Sequence, residues 1–157
     1  MISLIVAIDE DYLIGKKDSS NGMPWSNKED LKHFKDTTIN KSILMGSTTY
    51  KAIGKPLPNR KTIVVSKRGF EDNRVEIVSD LEKTIAEYRL KNEDLYIAGG
   101  ASIYKQSLPL VDQLLISKIP GKHQGETYFP RFESYGFKLV EIKKFETFNL
   151  EIYRKDK

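Results

Sequence analysis

With 157 residues, 39% of them apolar, the chain is long enough to bury one sizeable core, and no internal linker parts it, so residues 1–157 read as a single domain. It has no cysteine, which excludes disulfides and thiol catalysis and suits a reducing, cytoplasmic setting, and no apolar run approaches the length of a membrane span. The net charge of +4 is spread among acids rather than clustered with aromatics, which argues against a nucleic-acid surface and is equally explained by attraction to small anionic ligands.

Ser3 to Ile8 (S-L-I-V-A-I) is a run of branched apolar residues, the mark of a central strand covered on both faces; without a basic leader it is too short for a signal peptide. Asp9 to Asn27 follows as a long loop carrying Gly15 and Gly22, either a lid over a binding site or an ordinary surface excursion. From Asn21 to Phe34 the sequence reads N-G-M-P-W-S-N-K-E-D-L-K-H-F. Gly22 and Pro24 interrupt regular structure, and Ser26 or Asn27 can cap a helix over Lys28 to Thr37. On that helix Asp30 shares an arc with Leu31 and Phe34, so a carboxylate sits beside an apolar stripe. Such an acid is either a solvated cap or a buried group that needs a partner.

Ser42 to Gly46 is the next strand, opening through glycine into Ser47-Thr48-Thr49-Tyr50, a helix start whose free N–H groups can face an anion. Thr62 to Ser66 is a short buried strand ended by Lys67-Arg68-Gly69, and Val75 to Val78 is a fourth strand. Asp80 to Leu90 is a capped helix with Leu81, Ile85 and Tyr88 on one face. Asp94 to Ala98 then runs into Gly99-Gly100-Ala101-Ser102-Ile103-Tyr104, a second strand-to-helix junction built on glycine; Pro109 stops that helix. Two such junctions in one small domain point to a nucleotide site. Gln113 to Ile119 is a further strand, and Phe137 to Phe145 with Asn149 to Arg154 form a closing hairpin. Strands separated by helices predict an α/β fold: a mostly parallel sheet with helices on both faces and an antiparallel edge from the hairpin. His33 and His123 read as solvated residues without a catalytic role, and no metal site is expected.

In order and spacing these motifs resemble the dihydrofolate reductase family from Ile2 to about Arg154. The resemblance is carried by the M-I-S-L-I-V-A-I strand, Ile14-Gly15, and Gly22-Met23-Pro24-Trp25 with Asp30 five residues after the Trp and Phe34 beyond it. It continues in Leu44-Met45-Gly46 with Thr49, Ile53-Gly54-Lys55-Pro56-Leu57-Pro58-Asn59-Arg60, Ile97-Ala98-Gly99-Gly100 with Ile103-Tyr104, Gly125-Glu126-Thr127 and Phe129-Pro130. It implies a central eight-stranded, mostly parallel sheet flanked by four helices, and NADPH-dependent reduction of dihydrofolate by a cytoplasmic monomer open to antifolate inhibitors.

The resemblance also implies roles. Asp30 is the acid of the pterin pocket, braced by Ser117 where the family commonly has Thr and desolvated by Leu31 and Phe34. Ile5, Ala7, Leu31, Phe34, Ile53, Leu57 and Ala98 line the substrate pocket, and Arg60 grips the glutamate-tail carboxylate as a bidentate fork. Trp25 and Met23 belong to the loop that covers the site. Ala7, Ile14 and Gly15 lie on the nicotinamide side; Gly46, Ser47, Thr48 and Thr49 with Gly99, Gly100, Ala101, Ser102, Ile103 and Tyr104 hold the pyrophosphate. Ser47 stands where bacterial members often carry Arg against the adenosine 2′-phosphate, so Ser66, Lys67 and Arg68 are assigned that contact. Ala98 is smaller than the family's usual residue, and the Lys16 to Gly22 loop is longer than in compact bacterial relatives.

Two other readings compete. A pyrimidine reductase of riboflavin synthesis shares the fold and nicotinamide site but lacks counterparts of Asp30 and Arg60. A dinucleotide-binding or nucleic-acid-binding module leaves Trp25, Asp30 and Arg60 unexplained.

Overall fold

The computed structural model describes residues 1–16, 23–69 and 71–155. Fifteen elements follow in chain order: β1 (Ile2–Ile8), β2 (Leu13–Gly15), α1 (Lys28–Thr38), β3 (Ser42–Gly46), α2 (Ser47–Ile53), β4 (Lys61–Val65), β5 (Glu76–Val78), α3 (Leu81–Lys91), β6 (Leu95–Ile97), α4 (Ala101–Ser107), β7 (Gln113–Lys118), β8 (Thr127–Tyr128), a 3-10 turn (Glu133–Tyr135), β9 (Phe137–Lys144) and β10 (Asn149–Lys155). Eight strands form one sheet in the order β5-β4-β3-β6-β1-β7-β10-β9. Its first six strands are parallel, and β10 runs antiparallel between β7 and β9.

Side-chain alternation along the strands decides what each face of the sheet meets. Even positions of β1 (Ile2, Leu4, Val6, Ile8) join Leu44, Leu114 and Ile116 in a core closed by Leu81, Ile85 and Tyr88 of α3 and by Ile103 and Tyr104 of α4. Odd positions point the other way. Ile5 packs with Leu115, and Ile43, Met45 and Val64 pack with Tyr50 of α2, while Phe34 of α1 touches both groups. The helices thus cover both faces. Fully burying each aliphatic side chain contributes roughly 1.5–3 kcal/mol, so the central strands anchor the fold.

Helix boundaries follow local chemistry. Asn27 caps α1, its side-chain oxygen accepting from the Asp30 N–H, and Asp80 caps α3 by accepting from Lys83. Asn92 in the left-handed region ends α3.

One expectation is corrected. The stretch from Asp9 to Asn27, read as loop throughout, contains β2, which pairs antiparallel with β8 in a separate two-stranded sheet. Strands of three and two residues are too short to show a period in sequence. Their approach is close: a side chain on Gly125 would collide with the Gly15 carbonyl. The predicted lengthening between Lys16 and Gly22 lies outside the described residues from position 17 onward.

Candidate active site

The carboxyl ends of the parallel strands lie side by side, and open α/β sheets bind ligands in the crevice outside such ends. Ala7 of β1 is in register with Ser117 of β7, and Ala98, just past β6, donates its N–H to the Leu44 carbonyl of β3 at 2.8 Å. Ile5, Ala7 and Ala98 lie on the sheet face that α1 covers, with Phe34 and Trp25 packed against the same cluster.

Asp30 reaches into this face from the first turn of α1 and is 9% exposed. Burial pushes its carboxyl above the usual carboxylate range, partly offset by a hydrogen bond from the Ser117 hydroxyl and by the nearby His33. Met23, Trp25, Ser26, Asn27 and Leu31 surround it in a shallow depression. A desolvated acid with one hydroxyl partner can hold or supply a proton near neutral pH more readily than a surface acid.

The remaining pocket residues separate into floor and rim. Ile5 is buried, and Phe34 and Leu57 are half-buried. Leu31, expected to shield the acid, is instead 54% exposed, and Ile53 at the end of α2 is 37% exposed. Both are rim positions by their exposure, Leu31 bordering the depression that holds Asp30. Arg60 lies behind Phe34, its guanidinium 6.0 Å from the ring centroid, with Nε donating to the Pro58 carbonyl at 3.0 Å and Nη1 to Thr38 Oγ1 at 3.2 Å. Among the described residues no acid pairs with it. A half-buried, neutrally anchored guanidinium is a ready receptor for a carboxylate.

Two glycine junctions stand side by side. The Gly46 N–H donates to the Gly99 carbonyl at 2.8 Å, which brings the starts of α2 and α4 together, and neither Gly46 nor Gly100 caps its helix with a side chain. The first-turn N–H groups of both helices, including those of Ser47, Thr48, Thr49, Ala101 and Ser102, are therefore open to an anionic ligand. A Cβ on Gly100 would crowd Thr49 Oγ1 at 3.1 Å and one on Gly46 would crowd Ile103 at 3.0 Å, so glycine permits the approach. Ile103 and Tyr104 point into the core; the Tyr104 hydroxyl donates to the Ile5 carbonyl at 2.8 Å, leaving these two only backbone to offer. Gly46 is in register with Val65, so Ser66, Lys67 and Arg68 emerge beside Ser47. The Ser66 N–H continues the ladder to Val78, while Lys67 and Arg68 are exposed. Ile14 and Gly15 of β2 are half-buried, Ile14 packing against the core that α3 and α4 close.

The dihydrofolate reductase family profile matches residues 1–154. The chain belongs to the dihydrofolate reductase family. It is 40% identical over 145 residues to the dihydrofolate reductase of Bacillus subtilis (strain 168), spanning 92% of this chain and 84% of that one. To the Mycoplasma genitalium dihydrofolate reductase it is 35% identical over 161 residues, covering 99% and 98% of the two chains. Among solved structures, a dihydrofolate reductase from Enterococcus faecalis complexed with NADP(H) and RAB-propyl superposes with a TM-score of 0.89 at 28% identity, over 100% of this chain and 97% of that one. The parallel sheet, hairpin and four helices are thus those of a dihydrofolate reductase.

Both histidines depart from their sequence reading. His33 is half-buried against Phe145 and Phe148, with ring centroids 5.6 and 5.8 Å away and Nε2 lacking a hydrogen-bond partner. Burial chiefly holds its pKa below the usual value. His123 lies against Trp25 at 5.1 Å and beside the buried Asp9. Nothing local in the sequence marks either, because their partners lie about 110 residues away along the chain. Among the described residues no side-chain cluster suited to a metal occurs, and no helix is long and apolar enough to cross a membrane.

Proposed function

We propose that this chain catalyses the NADPH-dependent reduction of 7,8-dihydrofolate to 5,6,7,8-tetrahydrofolate, supplying one-carbon metabolism and thymidylate synthesis, as a single-domain monomer in the cytoplasm. The observation that carries the reading is the buried Asp30 beside Ser117 at the crevice, within a family-wide match. When bound, NADPH supplies the hydride.

The chain's own groups supply the rest. The Asp30 carboxylate pairs with the 2-amino group and ring N–H of the pterin and favours protonation of the ring nitrogen next to the carbon that is reduced. Ser117 orients that carboxylate through its hydroxyl. Ile5, Ala7, Phe34, Leu57 and Ala98 enclose the ring and benzoyl group, with Leu31 and Ile53 on the rim. Arg60 binds the glutamate α-carboxylate through the donors that Pro58 and Thr38 leave over. Trp25 excludes water from the site. The two helix starts fit a pyrophosphate, and Lys67 and Arg68 fit an adenosine 2′-phosphate in place of a cation at Ser47. Antifolate inhibitors would occupy the Asp30 pocket.

Following NADPH absorbance with dihydrofolate, and separately with a ribosylamino-pyrimidine, tests the reading. Oxidation with the first and not the second supports it; the reverse favours the riboflavin-pathway reductase.

A further inference from the structure

Asp30 is held from two directions, one of them outside the crevice. Within it, the carboxyl meets Ser117 of β7. Outside it, the preceding residue, Glu29, accepts the backbone N–H groups of Thr147 at 2.8 Å and Glu146 at 3.3 Å, and its carboxylate lies 2.6 Å from the Thr147 hydroxyl. The same hydroxyl is 3.1 Å from Asn27 Oδ1, the oxygen that caps the helix by accepting from the Asp30 N–H at 2.9 Å. One turn along α1, His33 packs against Phe145 and Phe148, whose rings stack on each other at 4.5 Å. The start of α1 is therefore docked on the turn joining β9 to β10.

That turn is not an arbitrary anchor. It feeds directly into β10, which lies on β7 with Leu150 opposite Ser117. The path from Asp30 to Ser117, across to Leu150, back to Thr147 and Glu29 closes on itself. Lys32 pairs with Asp36, so among the described residues the Glu29 carboxylate takes turn donors rather than a cation. Its pKa accordingly sits below the usual value, chiefly through the Thr147 hydroxyl.

We infer that Glu29 and Thr147 form a positioning clamp that fixes the first turn of α1 against the hairpin and so sets where the Asp30 carboxylate stands relative to Ser117. The inference rests on the reading of Asp30 as the acid that promotes protonation. Without the clamp, the first turn lifts and water reaches Asp30, and a misplacement of about 1 Å can cost about 100-fold in rate. The other titratable groups acting on Asp30 are His33 on its own helix and Tyr104 from α4, with Lys143 and Asp36 acting on His33.

The test compares wild type with Glu29→Ala, Thr147→Val and Thr147→Ser, measuring single-turnover hydride transfer against pH, NADPH affinity and thermal unfolding. Glu29→Ala should slow hydride transfer at neutral pH by roughly tenfold or more and move the midpoint of the pH profile toward acid, with NADPH affinity unchanged. Thr147→Val should do the same to a smaller degree, and Thr147→Ser, which keeps the hydroxyl, should match wild type. The double variant should be no worse than Glu29→Ala alone, since both act through one clamp. A pH midpoint that stays put in the folded variants, even with a lowered Tm, overturns the inference; if Glu29→Ala does not fold, Thr147→Val decides. Wild type that fails to oxidise NADPH with dihydrofolate would instead remove the functional reading itself.

Discussion

The fully buried carboxylate of Asp9, at the end of β1, accepts the backbone N–H of His123 at 2.8 Å, tying the central strand to a segment 114 residues later. The same carboxylate accepts the N–H groups of Asp11 at 2.8 Å and Leu13 at 3.0 Å, and His123 Nδ1 lies 3.3 Å from it. Trp25 packs on the His123 ring. One acid thus orders the entry to β2 and the surface on which Trp25 rests.

Asp9 should make the protein acid-labile. Burial alone pushes its carboxyl up, but the N–H groups of Leu13, His123 and Asp11, with the His123 ring, together hold it below the usual range. A depressed folded-state pKa contributes stability that is present above the ordinary carboxylate value, about 4, and is lost as pH falls through the folded value. Asp9→Asn offers one oxygen and turns a donor toward other donors, so it should lose about 1–3 kcal/mol at neutral pH and retain less of the wild type's acid sensitivity. Urea unfolding at pH 7 and pH 3.5 measures both; equal acid sensitivity would leave Asp9 without this role.

Asp30 has the opposite sign. Its folded-state pKa is raised, so the ionised acid costs stability as pH rises through that value, and Asp30→Asn should unfold at an equal or higher temperature than wild type at pH 7. Its activity should fall by about 10²- to 10⁴-fold at neutral pH through loss of the charge that favours a protonated ring nitrogen. The variant's single-turnover rate should climb as pH drops, because dihydrofolate then arrives already protonated, over a range where wild type has levelled off. A near-normal neutral rate, or one equally low at every pH, would remove Asp30 from the protonation step.

Arg60→Lys should weaken dihydrofolate binding roughly tenfold, because an ammonium cannot reproduce the planar fork and would not be held by both the Pro58 carbonyl and Thr38. A pterin lacking the glutamate tail should be indifferent to the substitution. Equal losses in kcat/KM for both substrates would indicate a structural role instead.

Replacing Lys67 and Arg68 together by Ala should raise the KM for NADPH by roughly tenfold or more while leaving that for NADH nearly unchanged. Both side chains are exposed, so unfolding temperature should hardly move. Equal effects on the two cofactors would reassign 2′-phosphate selection to other groups.

Local chemistry determined much of this protein from sequence alone. Branched apolar runs marked the buried strands, and Ser26 or Asn27, the cap of the Asp80 helix and Gly99-Gly100 marked helix starts. Family motifs then nominated the crevice residues. What tertiary structure alone decided depends on partners distant in sequence. That Leu31 stands on the rim, that Asp9 meets His123, and that Glu29 grips Thr147 follow from how α1 and the loops pack on the sheet. The reason is physical: period and propensity act over a few residues, whereas the desolvation and hydrogen bonding of an ionisable group are set by whatever the folded chain brings beside it.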